Sequence, residues 1–281
     1  MRKFDMTKAW SSSFTMFKSH GLLVILSQVI VYVMMGVVGV LLFSGMTDFT
    51  TATRIDDPGA LPGLFAGRFG LMFLGMLVIF ALSLAGYFIA WRIVLSPEKE
   101  TFAESVIYGL IASLPALFAF IAVYLVFIVG IGLVSLLFGF GFGGFADISD
   151  STDGGGALGG LLNIIFLCVF LFLTARFGTT GPVMASEKSF NPFSAMVTSW
   201  KITANNSLML MLYLFLNSIA FLVIYFVLAA IAVAVGAASM IAGIAIGAVF
   251  LISLATFFLL IPAGIFVSLA KEDLDIEDVF N

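Results

Sequence analysis

The side chains that could perform chemistry are few in this 281-residue chain. His20 is the only histidine and Cys168 the only cysteine, so the residues for a histidine or cysteine metal cluster and for an intramolecular disulfide are missing. Serines are plentiful, but no histidine or lysine lies inside the long apolar segments to activate one as a nucleophile. We therefore expect a protein that is not an enzyme, with no catalytic, cofactor-binding or metal-binding residues.

Charged side chains are also missing from the middle of every long apolar segment. Proton-coupled pumps and many ion carriers place ionisable groups at that depth because their mechanism requires them. The absence argues against such a transporter, but it leaves open a carrier of lipid or of a small apolar solute.

The remaining candidate site residues lie at the ends of the apolar segments. Arg92 and Arg176 are expected to extend towards lipid phosphates, with a specific lipid-headgroup or partner site as the alternative. His20 begins a segment, where it would act as a polar anchor at the membrane interface. The expected lipid-headgroup or interfacial anchors are Trp10, Lys18, His20, Arg92, Arg176, Trp200 and Lys201.

Polar residues inside the segments are expected to form hydrogen bonds between helices, with a permeation path as the alternative. They are Ser27, Gln28, Asn163, Asn217 and Ser218.

Two further motifs have structural explanations. "GFGFGG" at 139–144 has phosphate-loop spacing but ends an apolar segment. Asp147, Asp150 and Asp153 could bind a divalent cation weakly, yet their glycine-rich surroundings favour solvated side chains.

Apolar segments dominate the chain, which has 62% hydrophobic and only 10% charged residues, against about 25% charged in soluble domains. Six segments approach or exceed the ~20 residues that cross a bilayer as a helix. They are 21–45, 69–95, 106–142, 158–178, 206–235 and 238–268. Continuous apolar runs of this kind predict an all-α polytopic membrane protein and not a barrel.

The distribution of lysine and arginine predicts the orientation. With six spans and a cytoplasmic N-terminus, ten basic residues lie on the cytoplasmic side and two, Arg54 and Arg68, on the other. Both termini are then cytoplasmic, and the compartment is the bacterial inner membrane. The first apolar run is expected to be retained as a span, because it follows twenty mostly polar residues and no cleavage motif ends it.

The spans group into one membrane domain, 1–281, of three pseudo-repeated hairpins at 21–95, 106–178 and 206–268. The segment before each hairpin predicts a short amphipathic interfacial helix, at about 5–19, 101–105 and 191–204. At an offset of 186 residues, Ala9 and Ser13 align with Ala195 and Ser199. Asn191 is expected to be the N-cap of the third helix, with Pro192 as its first residue.

In that third helix, one face is apolar and is formed by Phe193, Met196, Val197, Trp200 and Ala204. Ser194, Thr198 and Lys201 face away from it.

Arg176 and the stretch "GPVMASEKSFNPFSAMVTSWKITANN" resemble the repeated signature of YciC-like bacterial inner-membrane proteins. The chain is also similar to the membrane domain fused to some glycerophosphodiester phosphodiesterases. The resemblance implies a six-span membrane protein, without phosphodiesterase activity because the catalytic domain is missing.

We expect a non-enzymatic inner-membrane protein with a structural, accessory or membrane-organising role. A transporter or scramblase for lipid or a small apolar solute is the first alternative, and a subunit of a larger membrane complex the second. Membrane lipids are the expected partners, a protein partner or homo-oligomer is left open, and no nucleic acid is expected. The acidic tail "KEDLDIEDVFN" is interpreted as solvated or as a docking segment for a partner.

Overall fold

The chain is helical throughout the residues that the computed structural model describes, which are 3–51, 61–96, 100–137 and 155–269. No strand occurs among them, which confirms the all-α polytopic class. The helices are α1 (Met6–Thr51), α2 (Leu61–Leu95), α3 (Phe102–Leu137), α4 (Gly155–Phe177), α5 (Thr180–Glu187), α6 (Pro192–Thr203), α7 (Ser207–Ala238) and α8 (Met240–Leu269).

Six stretches in the described residues are long and apolar enough to cross a membrane. They are Met6–Leu41, Met72–Leu95, Phe102–Val126, Ile164–Glu187, Pro192–Ala238 and Met240–Leu269. Each overlaps one of the six predicted segments, because an apolar run of this length is a local property that does not depend on its neighbours.

The predicted interfacial helices differ from one another in the structure. Those expected at 5–19 and 101–105 are not separate helices but the first turns of α1 and α3. The third is the separate helix α6, and its start is as predicted: Asn191 Oδ1 accepts hydrogen bonds from the backbone N–H groups of Phe193 (3.1 Å) and Ser194 (3.2 Å). A 3₁₀ turn, Ala204–Asn206, then joins α6 to α7.

A short helix that was not predicted from the sequence follows α4. Pro182 has no N–H group and its ring crowds the preceding turn, which favours a break between α4 and α5. The chain turns at Gly178 and Thr179 and restarts as α5, with Pro182 in the first turn, where no N–H is required. α5 ends at Lys188, which has a left-handed backbone with φ of 52°.

The helices converge at one end of the bundle, which we call the charged end because it carries Arg92, Glu100, Arg176, Lys188 and Lys201. α2 is central and packs against α1, α3, α5 and α8, while α4 packs against α6 and α7. Among the described residues, many buried apolar side chains pack at this end, among them Met16, Val94, Met184, Leu210 and Leu260. These side chains form the part of the core that lies beside the charged end.

Pairs of small residues, four positions apart, allow the helices to approach closely at the charged end. All are buried: Ala9 and Ser13 in α1, Ser105 and Gly109 in α3, and Ala195 and Ser199 in α6. Ser13 lies against Gly264 of α8, Gly109 against Ile89 of α2, and Ser199 against the end of α4. Each segment that precedes a predicted hairpin, which we call a lead-in segment, thus packs on the end of the second, fourth or sixth predicted span. Small residues commonly form such close contacts between membrane helices.

Candidate functional site

A buried ion-pair network joins three parts of the charged end. The Arg92 side chain is 3% exposed, and its Nε donates to Glu100 Oε2 at 2.8 Å while Nη2 donates to Glu100 Oε1. Nη1 donates to the backbone oxygen of Ala185 in α5. Lys188 Nζ reaches the same Glu100 Oε1 at 2.8 Å from the solvent side. The network therefore links α2, the start of α3 and the end of α5.

The Arg92 guanidinium, which donates two hydrogen bonds to the carboxylate, is the main cause that holds the pKa of Glu100 at about 2, and Lys188 contributes further. The interpretation of Arg92 as a side chain that extends to lipid phosphate is corrected here. Arg92 points into the protein because Glu100 and the Ala185 carbonyl satisfy its charge and its donors.

Arg176 and Trp200, two predicted anchors from different helices, lie together. The Arg176 guanidinium is 4.3 Å from the Trp200 ring centre, and Nη1 donates to the Trp200 carbonyl at 3.1 Å. Trp200 is 39% exposed and Lys201 beside it is also exposed. A cation stacked on an aromatic ring at a membrane surface is stabilised by the electron-rich ring face.

The other predicted anchors lie along α1. Trp10 is 38% exposed and packs edge-on against Phe257 of α8, with ring centres 5.2 Å apart. Lys18 is exposed, and His20 Nδ1 is 2.8 Å from Ser19 Oγ. The structure thus brings Arg176, Trp200 and Lys201 into one group and leaves Arg92 buried.

The face of α6 that packs on the rest of the protein contains a row of small residues whose role was not predicted. Phe193, Val197 and Trp200 are exposed, consistent with their predicted apolar face, while Ala195 and Ser199 are buried. Ser199 Oγ donates to the Arg176 carbonyl at 2.6 Å, at the point where α4 ends. The repeated Ala-x-x-x-Ser spacing was the sequence signal for this contact.

An apolar groove of about 320 Å³ opens between α3 and α4, beside the charged end. In the described residues these two helices make little direct contact, whereas α1 packs on α2 and α7 on α8. The groove is lined by the side chains and backbone of Leu84, Phe88, Trp91, Ala116, Ala119, Phe120, Val123, Tyr124, Phe170, Leu173, Thr174, Phe177, Gly178, Thr180, Gly181, Met184, Pro192 and Met196. Its volume is at the lower end of the ~300–1,000 Å³ typical of small-molecule sites.

The inner wall of the groove is held in place by Trp91. Its indole Nε1 donates to the Leu259 carbonyl of α8 at 2.9 Å, close to Pro262, where proline disturbs the helical hydrogen bonds. Gly181 lies against the face of the Trp91 ring, and a Cβ at that position would overlap the ring. Glycine at 181 therefore allows α5 to close the end of the groove.

One hydroxyl in the groove lining is buried without a hydrogen bond. In the described part of the chain, Thr180 Oγ1 has no partner, whereas Thr174 Oγ1 donates to the Phe170 carbonyl at 2.8 Å. Thr174 has a full helical turn before it, but Thr180 is the first residue of α5 and has none. An unpaired buried hydroxyl costs about 1–3 kcal/mol, so a bound group that accepts its hydrogen bond would be stabilised.

Among the described polar residues that were predicted to form hydrogen bonds between helices, one does so. Gln28 Nε2 donates to the Gly86 carbonyl of α2 at 2.9 Å. Asn217 and Ser218 were expected to do the same, but their side chains donate to carbonyls of their own helix, those of Tyr213 and Leu214. Ser27 similarly donates to Val24. The carbonyl one turn back is closer than a neighbouring helix, which explains the difference.

Several predicted features lie outside the described residues and side chains. They are the glycine-rich stretch 139–144, Asp147, Asp150, Asp153, the side chain of Asn163 and the tail 271–281. Within the described ranges, no group of three or more His, Cys, Asp or Glu residues is placed to hold a metal ion.

Comparison of the chain with protein-family models, with curated proteins and with solved structures gave no match. The resemblance to YciC-like proteins therefore stays a prediction from the residues alone. The geometry of the groove and of the charged end is the basis for any conclusion about function.

Proposed function

We propose that this chain is a non-enzymatic protein of the bacterial inner membrane that organises lipid, by holding an alkyl chain in the groove between α3 and α4. The apolar groove is the observation on which the proposal rests. It lies beside helices that are long and apolar enough to span a membrane, where lipid chains are the most abundant apolar groups.

The dimensions of the groove support holding a lipid in one leaflet. Its lining extends along α2 from Leu84 to Trp91, a rise of roughly 10 Å at 1.5 Å per residue. The hydrocarbon core is ~30 Å thick, so the groove covers about a third of it. A groove of this length accommodates part of one chain and, in the described residues, does not extend across the core.

The length of the groove also favours this proposal over a transporter or scramblase. A scramblase or a lipid transporter needs a route across the core for a headgroup, with polar groups along it. The described lining of the groove is mostly aromatic and aliphatic. An accessory or membrane-organising role is therefore the function that the geometry supports best.

Trp91 provides a test because it lines the groove and the chain contains only two other tryptophans. With Trp10→Phe and Trp200→Phe, Trp91 becomes the sole tryptophan of the purified protein, and its emission can be excited selectively. In liposomes whose lipid carries bromine atoms on the acyl chain, we expect the Trp91 emission to be quenched because the chain occupies the groove. In the added presence of Ala116→Phe, which fills the groove, we expect much of the quenching to disappear.

A variant that retains only Trp10 is the matched control, since Trp10 is exposed outside the groove and should be quenched with or without Ala116→Phe. A thermal unfolding midpoint close to that of the parent protein shows that Ala116→Phe is folded. Equal quenching of Trp91 in the open and the filled groove would overturn the proposal.

A further inference from the structure

We infer that the groove selects lipids that present an oxygen acceptor next to the alkyl chain, such as an ester carbonyl or a carboxylate, and that Thr180 Oγ1 donates the hydrogen bond. This rests on the proposed lipid-holding function and adds to it the chemical class of the ligand. The inference rests on the buried Thr180 hydroxyl, which has no hydrogen-bond partner among the described residues and lies in a largely apolar lining.

The other polar side chains of the lining are either bonded within the protein or exposed. The Trp91 indole N–H donates to Leu259 and the Thr174 hydroxyl to Phe170. Tyr124 also lines the groove, but this residue is 54% exposed. Thr180 Oγ1 is therefore the buried lining hydroxyl that a ligand can satisfy.

The direction of the groove matches the polarity of a lipid. Thr180, Gly181 and Met184 form the part of the lining at the charged end, where Arg176 stacks on Trp200 and Lys201 beside it is exposed. The opposite end of the groove is formed by Phe120, Phe170 and other apolar side chains. A lipid with its headgroup at the charged end and its chain directed into the core would place its first polar linkage close to Thr180.

Native mass spectrometry of the purified full chain tests this inference with three probes: dioleoyl phosphatidylethanolamine, its dialkyl ether analogue and oleate. The first two share a headgroup and differ in the ester carbonyls. A single hydrogen bond predicts about a 2- to 10-fold preference for the ester lipid. We expect Thr180→Val, which keeps the shape of the side chain, to remove that preference.

Thr174→Val is the matched control, because Thr174 lines the same groove but its hydroxyl is bonded to Phe170. It should leave the preference unchanged, and thermal unfolding checks that both variants are folded. Stronger binding of oleate than of the ester lipid would identify a free carboxylate as the acceptor, and the reverse order an ester carbonyl. Both orders support the inference if Thr180→Val weakens the favoured probe.

The outcomes that overturn the inference differ from those that overturn the proposed function. Equal binding of ester and ether lipids by the unaltered chain, with oleate bound no more tightly and all binding lost on Ala116→Phe, would mean that the groove holds a chain without using Thr180. An ester preference that survives Thr180→Val would also overturn it. If no probe binds in a manner sensitive to Ala116→Phe, the proposed function and the inference both fail.

Discussion

Glu100 lies between two basic side chains that reach it from different parts of the chain. Arg92 is buried with it, while the Lys188 side chain is 52% exposed. Removing one partner of a buried pair leaves an uncompensated charge, whereas an exposed partner is replaced by water. The backbone of Lys188 is also left-handed, a conformation that glycine adopts more readily than lysine. The two contacts of Glu100 should therefore contribute very differently to stability.

Glu100→Gln is expected to destabilise the protein by roughly 3 kcal/mol at pH 7, because it leaves the Arg92 charge unpaired in the core. Lys188→Gln should cost less than about 1 kcal/mol, since Lys188 is exposed. Thermal or denaturant unfolding in detergent measures both. Similar losses for the two variants would contradict the assignment of Arg92 as the dominant partner.

The same pair predicts a pH dependence. Folding lowers the pKa of Glu100 from its usual 4.5 to about 2, so its stabilising contribution is complete above pH 4.5 and is lost as the pH falls towards 2. The stability difference between the parent protein and Glu100→Gln should therefore be constant from pH 5 to 8 and shrink below pH 4.5. A difference that instead changes near pH 6 or 7 would exclude this ionisation as its cause.

Helices meet at the charged end through small residues, and this contact explains how three lead-in segments of different sequence pack in similar ways. Ser13 of α1 lies against Gly264 of α8, close to the Pro262 turn, where Ser13 Oγ also approaches the Leu260 carbonyl at 3.4 Å. Between membrane helices the driving force is close packing and hydrogen bonding and not the exclusion of water. The space available at such a contact therefore determines whether the two helices can pack together.

Gly264→Ala should destabilise the protein by about 1–3 kcal/mol, because the new Cβ would lie 2.5 Å from the backbone oxygen of Ala9 and neither backbone can move freely. Gly39→Ala is the matched control in a helix: no atom lies within 4 Å of a Cβ there, so it should be neutral or slightly stabilising. Unfolding midpoints in the same detergent compare them. Equal stability of the two variants would refute the tight α1–α8 contact.

Among the described residues, the ion pairs and the groove lie in the half of the molecule that bears the charged end. α7 has 32 residues and is roughly 48 Å long, which exceeds the ~30 Å core, so Lys201 and Ser239 lie near opposite membrane surfaces. The excess of lysine and arginine at the charged end predicts that this end faces the cytoplasm. The proposed lipid site would accordingly belong to the cytoplasmic leaflet.

Cysteine labelling in a Cys168→Ser background tests this orientation, since Cys168 is the only cysteine of the chain. A membrane-impermeant maleimide should label Ser239→Cys in intact spheroplasts and Lys201→Cys only after permeabilisation, because both native side chains are exposed at the ends of the bundle. Labelling of Lys201→Cys without permeabilisation would reverse the assigned orientation and move the groove to the outer leaflet.

The residues alone determined the features that depend on short stretches of chain. An apolar run inserts as a helix because its transfer free energy is summed locally, so the six spans and the all-α class followed from composition. The start of α6 followed similarly, because the cap at Asn191 uses N–H groups two and three residues away.

Tertiary structure decided every feature that depends on residues distant in the chain. The Lys188–Glu100 pair spans 88 positions and the Trp91–Leu259 hydrogen bond 168, so no local pattern indicates either of them. For the same reason Arg92 and Arg176, which are similar in sequence context, have different surroundings: one is buried in an ion pair and the other is stacked on Trp200. The groove exists because α3 and α4 are held apart, and a space between helices has no counterpart in the sequence.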